Sequence, residues 1–103
     1  MNGRISASLH VLHSADAEAQ GLVYPLDAGA TTIGREVDNT VVITSDQASR
    51  HHARVVPAAG GYVVQDLGST NGTYLDRTKV TSPLLIPPGV PIRIGKTVLE
   101  LRS

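Results

Sequence analysis

Three short stretches of this 103-residue chain hold side chains that apolar-polar alternation does not explain: Gly34-Arg35, Ser49-Arg50-His51-His52, and Asp66-Leu67-Gly68-Ser69-Thr70-Asn71-Gly72-Thr73-Tyr74. An Arg offers a planar bidentate fork, Ser and Thr hydroxyls add donors, and backbone N–H groups beside glycines complete an anion cradle. In the third stretch Asn71-Gly72 could close a tight turn unaided, because both residues tolerate positive φ. Gly68, Ser69 and Thr70 lengthen that loop and load it with hydroxyls and exposed N–H groups, as in a binding loop. None of these groups performs chemistry on an anion. Together the stretches predict a site that reads phosphate.

Other chemistries fit the same residues less well. Paired His51 and His52 invite a zinc site, but neighbours on a strand point to opposite faces and cannot share an ion without a partner cluster. His10 and His13 could supply one, yet no Asp or Glu is placed to help. Ser49 with His52 three residues on invites a nucleophile, but no G-x-S-x-G elbow surrounds it, and a triad needs a positioned base and an orienting acid. A phosphate-independent sandwich that docks a partner by its sheet face remains an alternative. Neither G-x-x-x-x-G-K-[ST] nor G-x-G-x-x-G occurs, so nucleotide binding has no motif behind it.

Composition narrows the partners. Nine Lys plus Arg balance nine Asp plus Glu, so no net field favours a nucleic-acid backbone or an anionic membrane. The absence of cysteine excludes disulfides, thiolate metal sites and a Cys nucleophile. Tyr24, Tyr62 and Tyr74 are the only aromatics, so the core must be aliphatic and stacking on bases is not expected. No apolar run approaches the roughly 18 residues of a membrane span, and Met1-Asn2-Gly3-Arg4 leads into alternating residues, unlike a signal peptide. A soluble, cytoplasmic chain is expected.

The elements that must position the three loops are short strands. Ile5, Ala7, Leu9 and Val11 alternate with Ser6, Ser8 and His10 in a half-buried strand pattern. Ser14 to Gln20 is a polar loop too short for a stable helix. Leu22 to Leu26 forms a second strand, at an edge because of Pro25. Strands follow over Thr31 to Arg35, Val41 to Thr44, His52 to Val56, Tyr62 to Leu67 and Thr73 to Leu75. Lys79 to Thr81, Leu84 to Ile86, Val90 to Ile94 and Val98 to Leu101 complete the set. Gly- and Pro-containing turns separate them, so about eleven short strands predict an all-β, two-sheet antiparallel sandwich.

The order Gly34-Arg35, Ser49-x-x-His52, then Asp66 through Thr73 resembles the forkhead-associated (FHA) domain, a phosphothreonine-binding β-sandwich. The resemblance runs from Ile5 to Leu101 and implies one domain over residues 1–103, with its core between 4 and 102. The Asp66-to-Asp76 stretch and Arg93-Ile94-Gly95-Lys96-Thr97 look most like FHA domains of actinobacterial proteins that partner Ser/Thr kinases. The resemblance implies that Arg35 and Ser49 hold the phosphate, with Arg50 assisting and Thr70 adding a hydroxyl. Asn71 would hold the peptide main chain. Gln47 falls where the family reads the residue three places after the phosphothreonine, while Gly34, His52 and Gly72 would be architectural. The implied function is a non-catalytic adaptor without cofactor or metal. Its expected partners are phosphothreonine proteins, among them a Ser/Thr kinase or its substrates, and neither nucleic acid nor membrane. Two departures bear on loop stability: Pro88-Gly89-Val90-Pro91 replaces a usual Gly-Asp, and Asp76 stands where Asn is common.

Overall fold

Leu9 and Val11 on one strand, Ile92 and Ile94 on another, and Leu99 and Leu101 on a third are all buried. Their polar neighbours Ser8, His10, Arg93 and Glu100 point the other way, as a period of two requires. In the computed structural model, which describes residues 7–103, these strands build a two-sheet sandwich. Its strands in chain order are β1 (Ser8–His13), β2 (Val23–Pro25), β3 (Thr31–Gly34), β4 (Val41–Val42), β5 (Ala53–Ala58), β6 (Gly61–Asp66), β7 (Thr73–Leu75), β8 (Thr78–Lys79), β9 (Leu84–Leu85), β10 (Pro91–Ile94) and β11 (Thr97–Arg102). One sheet has the order β2-β1-β11-β10-β7-β8 and the other β4-β3-β5-β6-β9. Among the described residues the one helical turn is a 3₁₀ segment, Ala17–Ala19, capped by Asp16. No helix among the described residues is long and apolar enough to cross a membrane.

The core between the sheets is aliphatic. A row of directly paired residues, Leu75, Ile92, Leu99 and Val11, crosses four strands of the larger sheet. It faces Ile33, Val55 and Val64 of the smaller sheet, all fully buried. Burying each such side chain is worth about 1.5–3 kcal/mol. Ile33 has a local consequence, since it pins the end of β3 immediately before Gly34 and Arg35.

Several expectations shift at their edges. Ile5 lies outside the described residues, and within them β1 runs on to His13. Pro25 does sit in an edge strand, β2, where its missing N–H costs no ladder bond. His52 precedes β5 instead of opening it, and His51 is likewise off the strand. Val80 leaves β8 to donate its N–H to the Thr73 carbonyl at 2.9 Å. One pairing departs from the antiparallel pattern: β3 and β4 run parallel, with Ile33 opposite Val41 and Gly34 opposite Val42. So short a parallel ladder is possible because the Arg35-to-Thr40 loop doubles the chain back and the Ile43 N–H reaches the Gly34 carbonyl at 2.8 Å. Asp76 adopts φ 56, a left-handed conformation in which Asn and Asp are the best-tolerated side chains.

The β3–β4 and β4–β5 loops, within the smaller sheet, and the β6–β7 crossing between the sheets lie together at one end, and Gly34 sets how closely the first two approach. A Cβ built there would lie 2.2 Å from the Arg50 carbonyl oxygen and 2.9 Å from Asn39 Nδ2. Asn39 Nδ2 donates to the carbonyls of Glu36 and Arg50, both at 2.8 Å, and so clasps the two loops. Gly34→Ala must push this clasp open. We expect a loss of about 1–3 kcal/mol, typical of overpacking. That corresponds to a melting point lower by at least about 4 °C for a domain of this size. Thermal unfolding followed by circular dichroism checks it, and an unchanged melting point would mean the loops do not approach this closely.

Candidate functional site

Arg35 leaves β3 with its backbone already committed. Its N–H donates to the Ser49 carbonyl at 3.0 Å, and the next N–H, of Glu36, reaches the Arg50 carbonyl at 3.2 Å. Its side-chain Nε donates to the Ala48 carbonyl at 3.1 Å, so the inner edge of the guanidinium is tethered and its terminal nitrogens project beyond. No carboxylate pairs with Arg35 or Arg50, since the ion pairs among the described residues are His51–Asp38 and Arg102–Glu100. Two guanidiniums, 15 residues apart in sequence, therefore line the same cleft with no carboxylate partner among the described residues.

Ser49 and the β6–β7 loop are joined through His52. The Ser49 N–H donates to His52 Nδ1 at 3.0 Å, which obliges that nitrogen to be unprotonated. The proton then sits on Nε2, which donates to the Gly72 carbonyl at 2.9 Å. With both ring nitrogens engaged by backbone groups, the fully buried His52 is not a base for the Ser49 hydroxyl. Ser49 Oγ accepts the Thr70 N–H at 3.1 Å, which leaves its own O–H proton to point elsewhere. Asn71 Nδ2 donates to the Gln47 carbonyl at 2.8 Å, a second tie between the two loops. Gln47 also rests its side chain against the β10–β11 turn, where a Cβ on Gly95 would come within 3.0 Å of it.

The β6–β7 loop is wound around Asp66. One carboxylate oxygen accepts the N–H groups of Gly68 at 3.0 Å and Ser69 at 2.9 Å. The other accepts the hydroxyls of Ser69 at 2.5 Å and Thr73 at 2.7 Å. Ser69 Oγ in turn accepts the Gly72 N–H at 2.9 Å. Gly68 and Gly72, at φ 77 and 87, supply the left-handed turns that let these groups converge. Partial burial raises the Asp66 carboxyl, but the Ser69 and Thr73 hydroxyls and the Ser69 N–H outweigh it. The carboxyl consequently lies below its usual value of 3.8, and a protonated His52 would push the same way.

The depressed value gives Asp66 a pH signature. Between the folded and unfolded pKa the unfolded chain binds more protons, so stability rises with pH there. The Asp66 contribution is fully present above about pH 4, near the unfolded value, and is lost as pH falls through the lower folded one. Asp66→Asn removes this dependence and leaves one neutral oxygen for the Gly68 and Ser69 N–H groups, with an NH2 donor facing the Ser69 and Thr73 hydroxyls that now donate to the carboxylate. We expect it to cost about 1–3 kcal/mol at pH 7, as hydrogen bonds to a charged acceptor become neutral ones or are lost. Wild type should then lose stability faster than the variant as pH falls below about 4. Denaturant unfolding of both proteins from pH 7 to pH 2 measures the gap, and a gap that stays constant would remove Asp66 from its place as loop organiser.

Arg35, Gln47, Ser49, Arg50, Thr70 and Asn71, the residues expected to bind, all line one open cleft of about 430 Å³, with Asp46, Ala48 and His51. Gly34, His52 and Gly72 lie behind it, buried. His51 and His52 do face opposite ways: His51 Nε2 meets the exposed Asp38 carboxylate at 3.0 Å. Among the described residues no three His, Cys, Asp or Glu groups could hold a metal. Sequence reasoning missed two organisers, Asp66 and Asn39. Asp66 was legible in principle, because Asp-x-Gly-Ser matches an Asx turn whose carboxylate captures N–H groups two and three residues on. Asn39 carried no such signal, since its partners are 3 and 11 residues away.

Comparison with known proteins bears on the family and the fold. The FHA domain family profile matches residues 31–95. The chain is 60% identical over 70 residues to FHA domain-containing protein FhaB of Mycolicibacterium smegmatis, a match that covers 68% of the chain and 45% of the relative. The chain therefore spans less than half the length of that relative. Mycobacterium tuberculosis EmbR, solved in complex with a low-affinity phosphopeptide, superposes with a TM-score of 0.83 at 36% identity, covering 96% of the chain and 24% of EmbR. An FHA domain studied for its phosphothreonine-dependent interactions superposes with a TM-score of 0.82 at 27% identity, covering 96% of the chain and 97% of that domain. On the family match, which takes in all three cleft loops, the chain belongs to the FHA domain family.

Proposed function

We propose that this chain is a non-catalytic module that binds phosphothreonine peptides and brings together partners phosphorylated by a Ser/Thr kinase, the kinase itself included. It would act in the cytoplasm as a single domain over residues 1–103, without cofactor and without contact to nucleic acid or membrane. The observation that carries this is the pair of guanidiniums, Arg35 and Arg50, which share a cleft with the Ser49 hydroxyl and have no carboxylate partner among the described residues. A phosphate at neutral pH brings roughly −1.5 to −2 charges and three strong acceptor oxygens, which answers that vacancy of acceptors.

Each lining residue takes a role that its free groups allow. With Nε tied to Ala48, Arg35 presents its terminal nitrogens to the phosphate as a fork. Ser49 donates its O–H, because its oxygen already accepts the Thr70 N–H. Thr70 adds a hydroxyl and Arg50 a second charge. Asn71, tethered through Nδ2 to Gln47, has its amide oxygen left to receive a peptide N–H. Gln47 lies beside it as the residue that senses a flanking side chain. His52 offers no base for hydrolysis of the phosphate, since both its nitrogens hold the loops.

The test is calorimetry with matched phosphothreonine, phosphoserine and unmodified peptides. Losing a charge-assisted hydrogen bond costs about 1.5–3 kcal/mol, so Arg35→Ala should weaken phosphothreonine binding roughly 10- to 150-fold while circular dichroism shows the fold intact. Arg35→Lys should recover part of that loss, since an ammonium keeps the charge but not the fork. Added salt should weaken the wild-type interaction. If Arg35→Ala stays folded and binds as wild type does, phosphate recognition is the wrong function and phosphate-independent docking takes its place.

A further inference from the structure

Asp46 is the one carboxylate among the residues that line the cleft. It occupies a corner that the chain holds in place. The Ala48 N–H donates to the Ser45 carbonyl at 3.1 Å, and the Gln47 N–H to Ser45 Oγ at the same distance. These bonds close a four-residue turn, Ser45 to Ala48, with Asp46 as its first central residue. The turn is anchored onward, since the Gln47 carbonyl receives Asn71 Nδ2 and the Ala48 carbonyl receives Arg35 Nε. Asp46 is exposed and lies too far from Arg35 or Arg50 to form an ion pair with either, although all three border the same space.

A negative group at the rim of a phosphate cleft works against the phosphate itself through Coulomb repulsion. The same group rewards a cation elsewhere on the ligand. A ligand that carries both signs, phosphate and a nearby basic side chain, matches a cleft that carries both signs in fixed positions. We propose that Asp46 selects phosphothreonine peptides with a Lys or Arg close to the phosphorylated residue, and that it rejects peptides with an acidic residue at that place. This rests on the phosphothreonine reading of the cleft and adds the charge of the flanking sequence to it. The general attraction of two guanidiniums would favour acidic flanks throughout, so the selection by Asp46 must appear as a preference confined to particular positions.

A set of phosphothreonine peptides with Lys, Ala or Glu placed in turn at each of the three positions on either side tests this. Each peptide is titrated into wild type, Asp46→Asn and Asp46→Lys, with circular dichroism of all three. In wild type, at one position or more, the Lys peptide should bind tighter than the Glu peptide by roughly 2- to 30-fold, an exposed attraction gained plus a similar repulsion avoided. The ratio should fall toward 1 in Asp46→Asn and invert in Asp46→Lys at the same position, and the other positions should not follow. Equal Lys-to-Glu ratios in all three proteins at every position, with phosphothreonine still bound, would overturn this inference and leave phosphate recognition standing. Failure of every phosphothreonine peptide to bind wild type would overturn both.

Discussion

The site depends on one imidazole. His52 belongs to the chain segment entering the smaller sheet, yet its Nε2 donates to Gly72, the residue from which β7 enters the larger one. Its Nδ1 takes the Ser49 N–H on the other side. A single rigid ring thus spans two loops beyond the point where the β5–β6 ladder ends at Ala53 and Asp66, and fixes Ser49 relative to the Thr70–Asn71 corner. The bridge works with only one arrangement of the ring proton, because a doubly protonated ring would set N–H against N–H at Ser49. The main chain of His52 is held as firmly, its N–H on Ile33 at 2.8 Å and its carbonyl under Leu67 at 2.9 Å. Such rigidity matters for binding, since loops already ordered lose little entropy when a ligand arrives.

Charge in this protein is arranged locally. The chain as a whole is neutral, so it has no long-range field with which to gather anions. Near the cleft, however, the Arg35 guanidinium is steered by a neutral carbonyl, that of Ala48, where a carboxylate would have competed with any incoming phosphate. Asp38 is occupied with His51 at the exposed edge, and Asp66 spends its charge on four hydrogen bonds within its own loop. The acids that sequence proximity would make obvious partners for Arg35 and Arg50 are either engaged or held off. Neutral total charge and a cleft with two guanidiniums that no described carboxylate pairs are compatible for that reason.

Alternation was enough to predict the sandwich because most strands bury one face, and a period of two is then enforced by the core: Leu9 and Val11, Ile92 and Ile94, Leu99 and Leu101 could not have been read otherwise. Pro25 gave away its edge position by what it lacks. Where strands are two residues long the same signal fades, and bounds such as those of β4, β8 and β9 follow loop hydrogen bonds that no local pattern encodes. The parallel pairing of β3 with β4 was illegible for the same cause. Gly34 is instructive in another way. Its role is the space a side chain would take from the Arg50 carbonyl, a contact across 16 residues of sequence, so that no turn preference announces it. The cleft residues were legible through order and spacing of three motifs, whereas Asn39 and the clasp it forms were not.

The hydrogen bonds that shape the cleft draw mostly on backbone groups: the N–H of Arg35, Ser49 and Thr70, and the carbonyls of Gln47, Ala48, Ser49, Arg50 and Gly72. Every residue contributes those groups whatever its side chain. The side chains that do take part in the scaffold, His52, Asp66 and Asn39, lie behind the cleft instead of within it. Cleft-facing positions such as Asp46, Arg50 and Thr70 therefore carry little of the architecture in their side chains, and their chemistry can change with the loops left in place. Arg35, Ser49 and Asn71 are the intermediate case, each with one side-chain polar atom in the scaffold while it also lines the cleft. A site built this way separates the geometry of the cleft, held by main chain and the side chains of His52, Asn39 and Asp66, from the chemistry of what projects from its rim. The chemistry at the rim can then change by single substitutions while the scaffold of the cleft stays as it is.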